Sequence, residues 1–539
     1  MFSFRSFLKL SAVAAAALII ASCGKGKPVL ASKGNMIPDN AVMAMKLDAN
    51  QLLDKTFGEP GSQGRELLNM GRSMASMSLG EFGEFGTVIR NVIQNPAELG
   101  VCLEEPVVLS ATADLDKVRL YDEGSMEIYL VALLNNREAF EKVVDATAAF
   151  AEFDSHMKVV KEATKEYTHY VLADDNDASL DLGVSDESAV LRLRYHENTG
   201  KIDLKTTMRG LFANGGPAHA ESMETLYAAN GELTVWYNLE QMFKMMVPIV
   251  EEVDPFTAAD LKKSLPLSEG CAMVADLAFL KGQTVLDCHF FASEKIKGMV
   301  RKFNAQASDK YLSYLPSSAF IAGNFAFKNL PDLIKMTAEY NPQSAEVMEQ
   351  LELMFGIDEQ FLAGLSGTTT FGVDGHGLMS LPVPGFVCIT ECDRYVWDFV
   401  KTEISDNAQY VGSDMYNLMD MAYLSYDNGH MMLADAVTMQ AGPLGGAESF
   451  AETELAQTIK NGGLMINLEA LPYALLNEMA KEFDSSYLTA DKLIEYISSV
   501  TFTPYDDNMA GKLVFNMGDK QHTILEKLVL EGLSNIRLY

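Results

Sequence analysis

The sequence predicts an α+β fold built from two tandem homologous units, each an antiparallel or mixed sheet with helices packed on one face. Three observations lead there. Continuous apolar runs are followed by amphipathic helical patterns. Other runs alternate apolar and charged residues. The chain also resembles itself in several places, in the same order.

Taken along the chain, Ile37-Pro38 opens a strand pattern through Met45, and Leu52 to Lys55 follows with helical spacing. The run Tyr129 to Leu134 reads as a buried strand, and Arg137 to Val144 reads as a helix with Phe140, Val143 and Val144 on one face. In Val190-Leu-Arg-Leu-Arg-Tyr195, Leu191 and Leu193 face one way and Arg192 and Arg194 the other, as in a half-buried antiparallel strand with one wet face.

The self-similarity sets the domain organisation. Ile37 to Met45 lines up with Leu315 to Gly323, and Val235-Trp-Tyr-Asn-Leu-Glu240 with Leu464-Met-Ile-Asn-Leu-Glu469. Gly282 to Asp287 lines up with Gly511 to Asn516, and, more weakly, Val131 to Val143 with Cys388 to Val400, which sets Phe140 against Trp397. The offsets fall from 278 to 257 to 229 along the chain, so the first unit carries extra residues, with 58–86 and the acidic turn at 174–177 as candidates. The expected units are 36–310 and 311–539.

Ahead of them, residues 1–22 read as an export signal. Arg5 and Lys9 precede an uncharged stretch from Leu10 to Ala21, too short for the roughly 20 residues of a membrane-spanning helix. Ile20-Ala21-Ser22-Cys23 has the small residues before a cysteine that characterise a bacterial lipobox, which makes Cys23 the expected lipidated first residue of the mature chain. Two or three acyl chains give stable anchoring where one does not. Residues 23–35 form a tether that bears Lys25, Lys27 and Lys33 and no acid. The expected partners are therefore the membrane, through that anchor, and an envelope protein.

Forty-two basic residues stand against 74 acidic ones, a formal net charge of −32 at pH 7, which argues against nucleic acid as a partner. Besides Cys23 there are five cysteines. Cys271 and Cys288 lie in neighbouring apolar runs where a hairpin could bring them together, whereas Cys388 and Cys392 are too far apart along a strand to pair.

Motifs that carry chemistry are weak or incomplete. There is no phosphate-binding glycine loop, and the eight histidines form no HExxH. Ser155-His-Met-Lys158 and Ser405-Asp-Asn407 match two elements of penicillin-recognising enzymes, but the third is missing. Gly375-His376-Gly377 reads as a turn, and Asp175-Asn-Asp177 starts like a calcium loop without its glycine or closing glutamate. Trp236 and Trp397 read as core. Met70, Met74 and Met77 lie at i, i+4 and i+7 of a helix, a spacing that suits a core stripe, a plastic binding surface or a thioether copper site. No catalytic, cofactor or metal residue is assigned.

With its lipobox and tether, and with IPDNAVMAMKLDANQLLDK and LPSSAFIAGNFAFKNLPDLIK opening the two units, the chain resembles a family of Bacteroidetes outer-membrane lipoproteins known only as a domain of unknown function. That resemblance implies a compartment and an architecture and no activity. Gly24-Lys25-Gly26-Lys27 lacks the acids that surface-exported relatives carry there, which points to the periplasmic side of the outer membrane. The expected role is a non-enzymatic binding or scaffold lipoprotein. The alternatives are an envelope hydrolase or glycan-handling protein, and a ligand or metal carrier that uses the cleft between the units.

Overall fold

The computed structural model describes residues 37–536 apart from residue 39 and the stretches 80–81, 114–125, 156–158, 175–177, 196–207, 213–220, 341–342, 380–384, 406–407, 483–488 and 506–508. The leader, Cys23, the tether, His156 and the acidic turn at 175–177 lie outside the described residues. Contacts divide the chain into two compact units. One comprises the chain through Leu280 together with Leu525 onward, and the other Lys281–Ile524.

In the first unit the strands are β1 (Ala41–Leu47), β2 (Val107–Ala113), β3 (Met126–Leu133), β4 (Val160–Ala163), β5 (Thr168–Asp174), β6 (Ala178–Val184), β7 (Ser188–Tyr195), β8 (Leu233–Asn238) and β9 (Ala272–Leu280). They pair in the order β9-β8-β1-β2-β3-β7-β6-β5-β4. The second unit has β10 (Gln283–Phe291), β11 (Ala319–Phe327), β12 (Gly367–Asp374), β13 (Phe386–Glu391), β14 (Gln409–Gly412), β15 (Met415–Leu418), β16 (Ala422–Asp427), β17 (His430–Ala434), β18 (Gly463–Asn467), β19 (Ser499–Pro504) and β20 (Gly511–Asn516). Their order is β10-β20-β19-β18-β11-β12-β13-β17-β16-β15-β14. All these ladders are antiparallel, so among the described residues the sheets are antiparallel rather than mixed.

Local chemistry starts and stops the elements where the sequence pattern changes period. Asp48 accepts from Gln51 N at 2.9 Å and starts helix Ala49–Phe57 straight after β1. Asn238 accepts from Gln241 N and starts helix Leu239–Val253 straight after β8. Asp393 accepts from Val396 N and starts helix Arg394–Ile404. Between β16 and β17, Asn428 and Gly429 both take positive φ, 45° and 85°, the backbone of the tight hairpin turn that Asn-Gly favours.

Both faces of the first sheet are covered, which corrects the expectation of helices on one face. Helix Arg137–Ser155 packs Phe140, Val143 and Val144 against Ala132, Leu134, Tyr170, Leu182, Val184 and Ala189. On the opposite face Trp236 Nε1 donates to Ser222 Oγ of helix Glu221–Ala228 at 3.0 Å. The alternating run in β7 therefore has no wet face, because Arg192 and Arg194 are buried and Leu191 and Leu193 half-buried.

In the second unit the core gathers Tyr311, Leu312, Leu315, Ala322, Val387, Ile389, Met432, Ala434, Phe450, Ile459 and Met465. Asn324 of β11 is the polar pin in this core. Its Nδ2 donates to the carbonyls of Ser308, Ile459 and Lys460 at 3.2, 3.2 and 3.0 Å, while its Oδ1 accepts from Thr370 Oγ1 at 2.8 Å. Asn324→Leu strands those carbonyls, and we expect about 3 kcal/mol of destabilisation in urea unfolding. A loss under about 0.5 kcal/mol would refute the pin.

Candidate functional site

A buried group of ionisable side chains sits inside the first sheet. Cross-strand neighbours run Trp236–Ala44–Ser110–Tyr129–Arg192–Asp181, one residue from each of β8, β1, β2, β3, β7 and β6, all on one face. At one end of this row Arg192 grips Asp181 with two parallel bonds, Nε to Oδ1 at 2.8 Å and Nη2 to Oδ2 at 2.9 Å. His169 Nε2 on β5 lies 2.7 Å from the same Oδ2. Next to it, the Tyr129 hydroxyl donates to Glu127, whose carboxylate also faces Arg194 Nε at 3.3 Å.

Apart from Glu127, which is 16% exposed, this group is buried. Asp181 and Arg192 are 0% exposed and His169 2%. Burial lowers the guanidinium pKa of Arg192, but the Asp181 charge and its bonds more than offset that, so the group stays firmly protonated. Burial first, and the Glu127 carboxylate second, push the Tyr129 hydroxyl well above its ordinary value. Phe212 stacks on Tyr167 beside His169, with ring centroids 4.8 Å apart, and Met208 crowds Gly183 next to Asp181. Asp181, Arg192 and His169 are thus out of contact with solvent. What they can do is hold register, since Asp181 must face Arg192 for either charge to be buried.

The corresponding row of the second sheet is Met465–Ala322–Gly372–Val387–Ala434–Tyr423. Alanine stands in the place of the arginine and tyrosine in the place of the aspartate. The same strand order thus closes over an apolar row in one unit and an ionic one in the other.

A second, smaller cluster in the second unit joins Lys310, Tyr311, Glu391 and His430. Tyr311 OH donates to Glu391 Oε1 at 3.2 Å, Lys310 Nζ donates to Tyr311 OH at 3.1 Å, and the His430 ring lies 5.3 Å from that of Tyr311. Burial, reinforced by Lys310, lowers the His430 pKa. Glu391 is also held by Thr368 N at 2.7 Å, and no serine, threonine or cysteine nucleophile is bonded to His430 among the described residues.

The sequence-based candidates fall as follows. Trp236 and Trp397 are core, with Trp397 fully buried. His376 begins a single 3-10 turn whose N–H is held by Asp374 Oδ1 at 3.1 Å. Cys102, Cys271, Cys288, Cys388 and Cys392 are all free thiols, so the Cys271–Cys288 bridge is not formed, and Cys271 Sγ instead donates to Leu267 O at 3.3 Å. No group of three or more His, Cys, Asp or Glu side chains among the described residues could hold a metal ion. The methionine stripe is not core: Met70, Met74 and Met77 are 55%, 67% and 79% exposed.

Sequence reasoning missed the buried ionic group. The available signal was the pair of arginines in β7 and the lone charged residue, Asp181, of β6, but only pairing joins them.

No protein-family model matches the chain, and neither does any curated protein. A solved structure described as crystal form I of TP0453 is similar at 7% identity, covering 79% of this chain and 97% of that one, with a TM-score of 0.21, too low to support an argument about fold.

Asp181→Asn removes the charge between Arg192 and His169, and we expect about 3–5 kcal/mol of destabilisation. Replacing the pair together, Asp181→Tyr with Arg192→Ala after the row in the second sheet, should recover more than half of that in a double-mutant cycle followed by denaturant unfolding. Strict additivity of the two single losses would refute the coupling.

Proposed function

We propose that the protein is a lipid-anchored lipoprotein of the cell envelope, attached through Cys23 to the outer membrane and facing the periplasm. In this reading it is a non-enzymatic binding or scaffold protein built from two homologous repeats. The observation that carries the binding role is the contrast between the two kinds of candidate residue. The constellation with catalytic chemistry, His169–Asp181–Arg192, is sealed inside a sheet, while apolar side chains such as Met74 and Met77 stand in solvent.

The tandem repeat, 36–310 followed by 311–539, is supported by register as well as by strand order. Lys46 faces Thr234 in β1–β8, and Asn324 faces Gly463 in β11–β18, the pairing that the sequence alignment of both segments requires. Asn136 and Asp393 cap the equivalent helices Arg137–Ser155 and Arg394–Ile404 by accepting from Ala139 N and Val396 N. The weak match ahead of these helices shifts by one residue. Val131 corresponds to Ile389 rather than Cys388, because Val108 faces Val131 as Thr370 faces Ile389. Both are buried on the same face, and a slip of one would turn them to the other. The last helix of the second repeat, Ile524–Ile536, falls almost wholly in the first compact unit, and β10 of the first repeat in the second.

The anchor is supported by the leader, the small residues before Cys23 and the basic tether. No helix among the described residues is long and apolar enough to cross a membrane. Cys23→Ser should move the protein from the membrane pellet to the soluble fraction on cell fractionation. Retention of the variant in the pellet would overturn the anchor.

A further inference from the structure

Three α-helices lie between β1 and β2 in the first unit and three between β11 and β12 in the second. In the first unit the middle one, Gln63–Ser78, contacts Gly83–Gln94, and its outer face carries Met70, Met74 and Met77. A span from i to i+7 is about 10 Å along a helix, two turns of a partner. Apolar side chains also gather at the start of helix Gly83–Gln94. Phe82 is exposed there and packs edge-on against Phe150 at 5.7 Å, and Phe85 stacks on Phe150 at 4.4 Å. One turn further along its helix Phe153 stands in solvent, 82% exposed.

Beside this apolar end runs a groove of about 380 Å³ between helices Gly83–Gln94 and Arg137–Ser155. It is lined by Glu84, Glu138, Glu141 and Asp145 against a single lysine, Lys142. Glu141 is paired with Arg137, and Asp145 with Lys161. Glu84 and Glu138 have no ion-pair partner among the described residues. A ligand that covers the apolar end and enters the groove is thus met first by methionine and phenylalanine, then by unpaired carboxylates.

The second unit also exposes apolar and acidic side chains on the middle helix at the same place in the chain. The middle helix between β11 and β12, Gln343–Phe355, ends in Leu353, Met354 and Phe355, all exposed. Glu346, Glu349 and Glu352 are exposed along it, and it contains no lysine or arginine. Exposed apolar residues scattered singly need no explanation, but clusters of them beside acids on the middle helices of both units do.

We propose that these two surfaces dock basic amphipathic helices of a partner protein, one per unit. Methionine's flexible thioether adapts to varied apolar faces, and the acidic rim selects cationic ones by charge complementarity. The same acids repel an anionic lipid surface, so a protein helix is the occupant. This rests on the binding role proposed above and not on the anchor.

The test uses the full chain bearing Cys23→Ser, free of detergent, with a fluorescent synthetic helix that has leucine on one face and lysine on the other. Anisotropy should show saturable binding of two peptides, weakening as salt is raised. Met74→Ser/Met77→Ser/Phe82→Ser should leave one binding site. Adding Leu353→Ser/Met354→Ser/Phe355→Ser should weaken the remainder at least about tenfold. These side chains are exposed, so an unchanged circular dichroism spectrum is expected of the variants. Equal affinity for a peptide with glutamate in place of lysine, unaltered binding by the six-residue variant, or displacement of the peptide by phosphatidylcholine vesicles would each overturn the proposal. Failure of the anchor would appear separately, as wild-type protein in the soluble fraction that still binds the peptide.

Discussion

The two-pronged grip of Arg192 on Asp181 is the constraint around which the first unit is arranged. An aspartate and an arginine with no exposure to solvent persist only if they meet in good geometry, because taking either charge out of water alone costs several kcal/mol. Meeting requires β6 and β7 to pair in one register. That register then places Leu182 opposite Leu191 on the other face, where helix Arg137–Ser155 closes the apolar core. His169 and Tyr129 extend the same logic to β5 and β3. The ionic row and the apolar core are two sides of one choice of register.

The second unit shows that this strand order does not demand charges. Where the first row has Tyr129, Arg192 and Asp181, the second has Val387, Ala434 and Tyr423, and the face is an apolar core pinned by one fully bonded asparagine. Apolar replacements for buried ion pairs are often as stable or more so. The two units therefore solve one packing problem in two ways. The ionic solution specifies register more tightly, since a slipped strand strands two charges, whereas a slipped apolar strand finds other apolar neighbours.

What remains outside is as informative as what is buried. A chain with a net charge of −32 keeps most of its surface hydrated and self-repelling. Against that background Met74, Met77, Phe153 and Leu353 stand out, because an acidic protein has no shortage of side chains that solvate well. Exposed as they are, these side chains bury little apolar surface, so they contribute little to folding and can be replaced without disturbing it.

Much of this was legible in the sequence. The succession of strands and helices was, because periods of 2 and 3.6 are written in neighbouring residues. The run Tyr129 to Leu134 followed by Arg137 to Val144 is a strand and a helix as read. The match of Val235 to Glu240 with Leu464 to Glu469 pointed to segments that occupy the same place in the two strand orders. Trp236 and Trp397 were recognisable as core from their apolar flanks. Other decisions belonged to the tertiary structure alone. Arg192 and Arg194 alternate with leucine just as solvated arginines do, and only the pairing of β7 with β6 and β3, together with the segments that close over them, buries them. Met70, Met74 and Met77 have the spacing of a core stripe, and only the packing of neighbouring helices leaves that face open. Period is a local property that the chain carries by itself, whereas burial depends on which distant segment arrives to cover a face. For that reason the sequence determined the elements, and the fold decided which of their polar and apolar faces meet water.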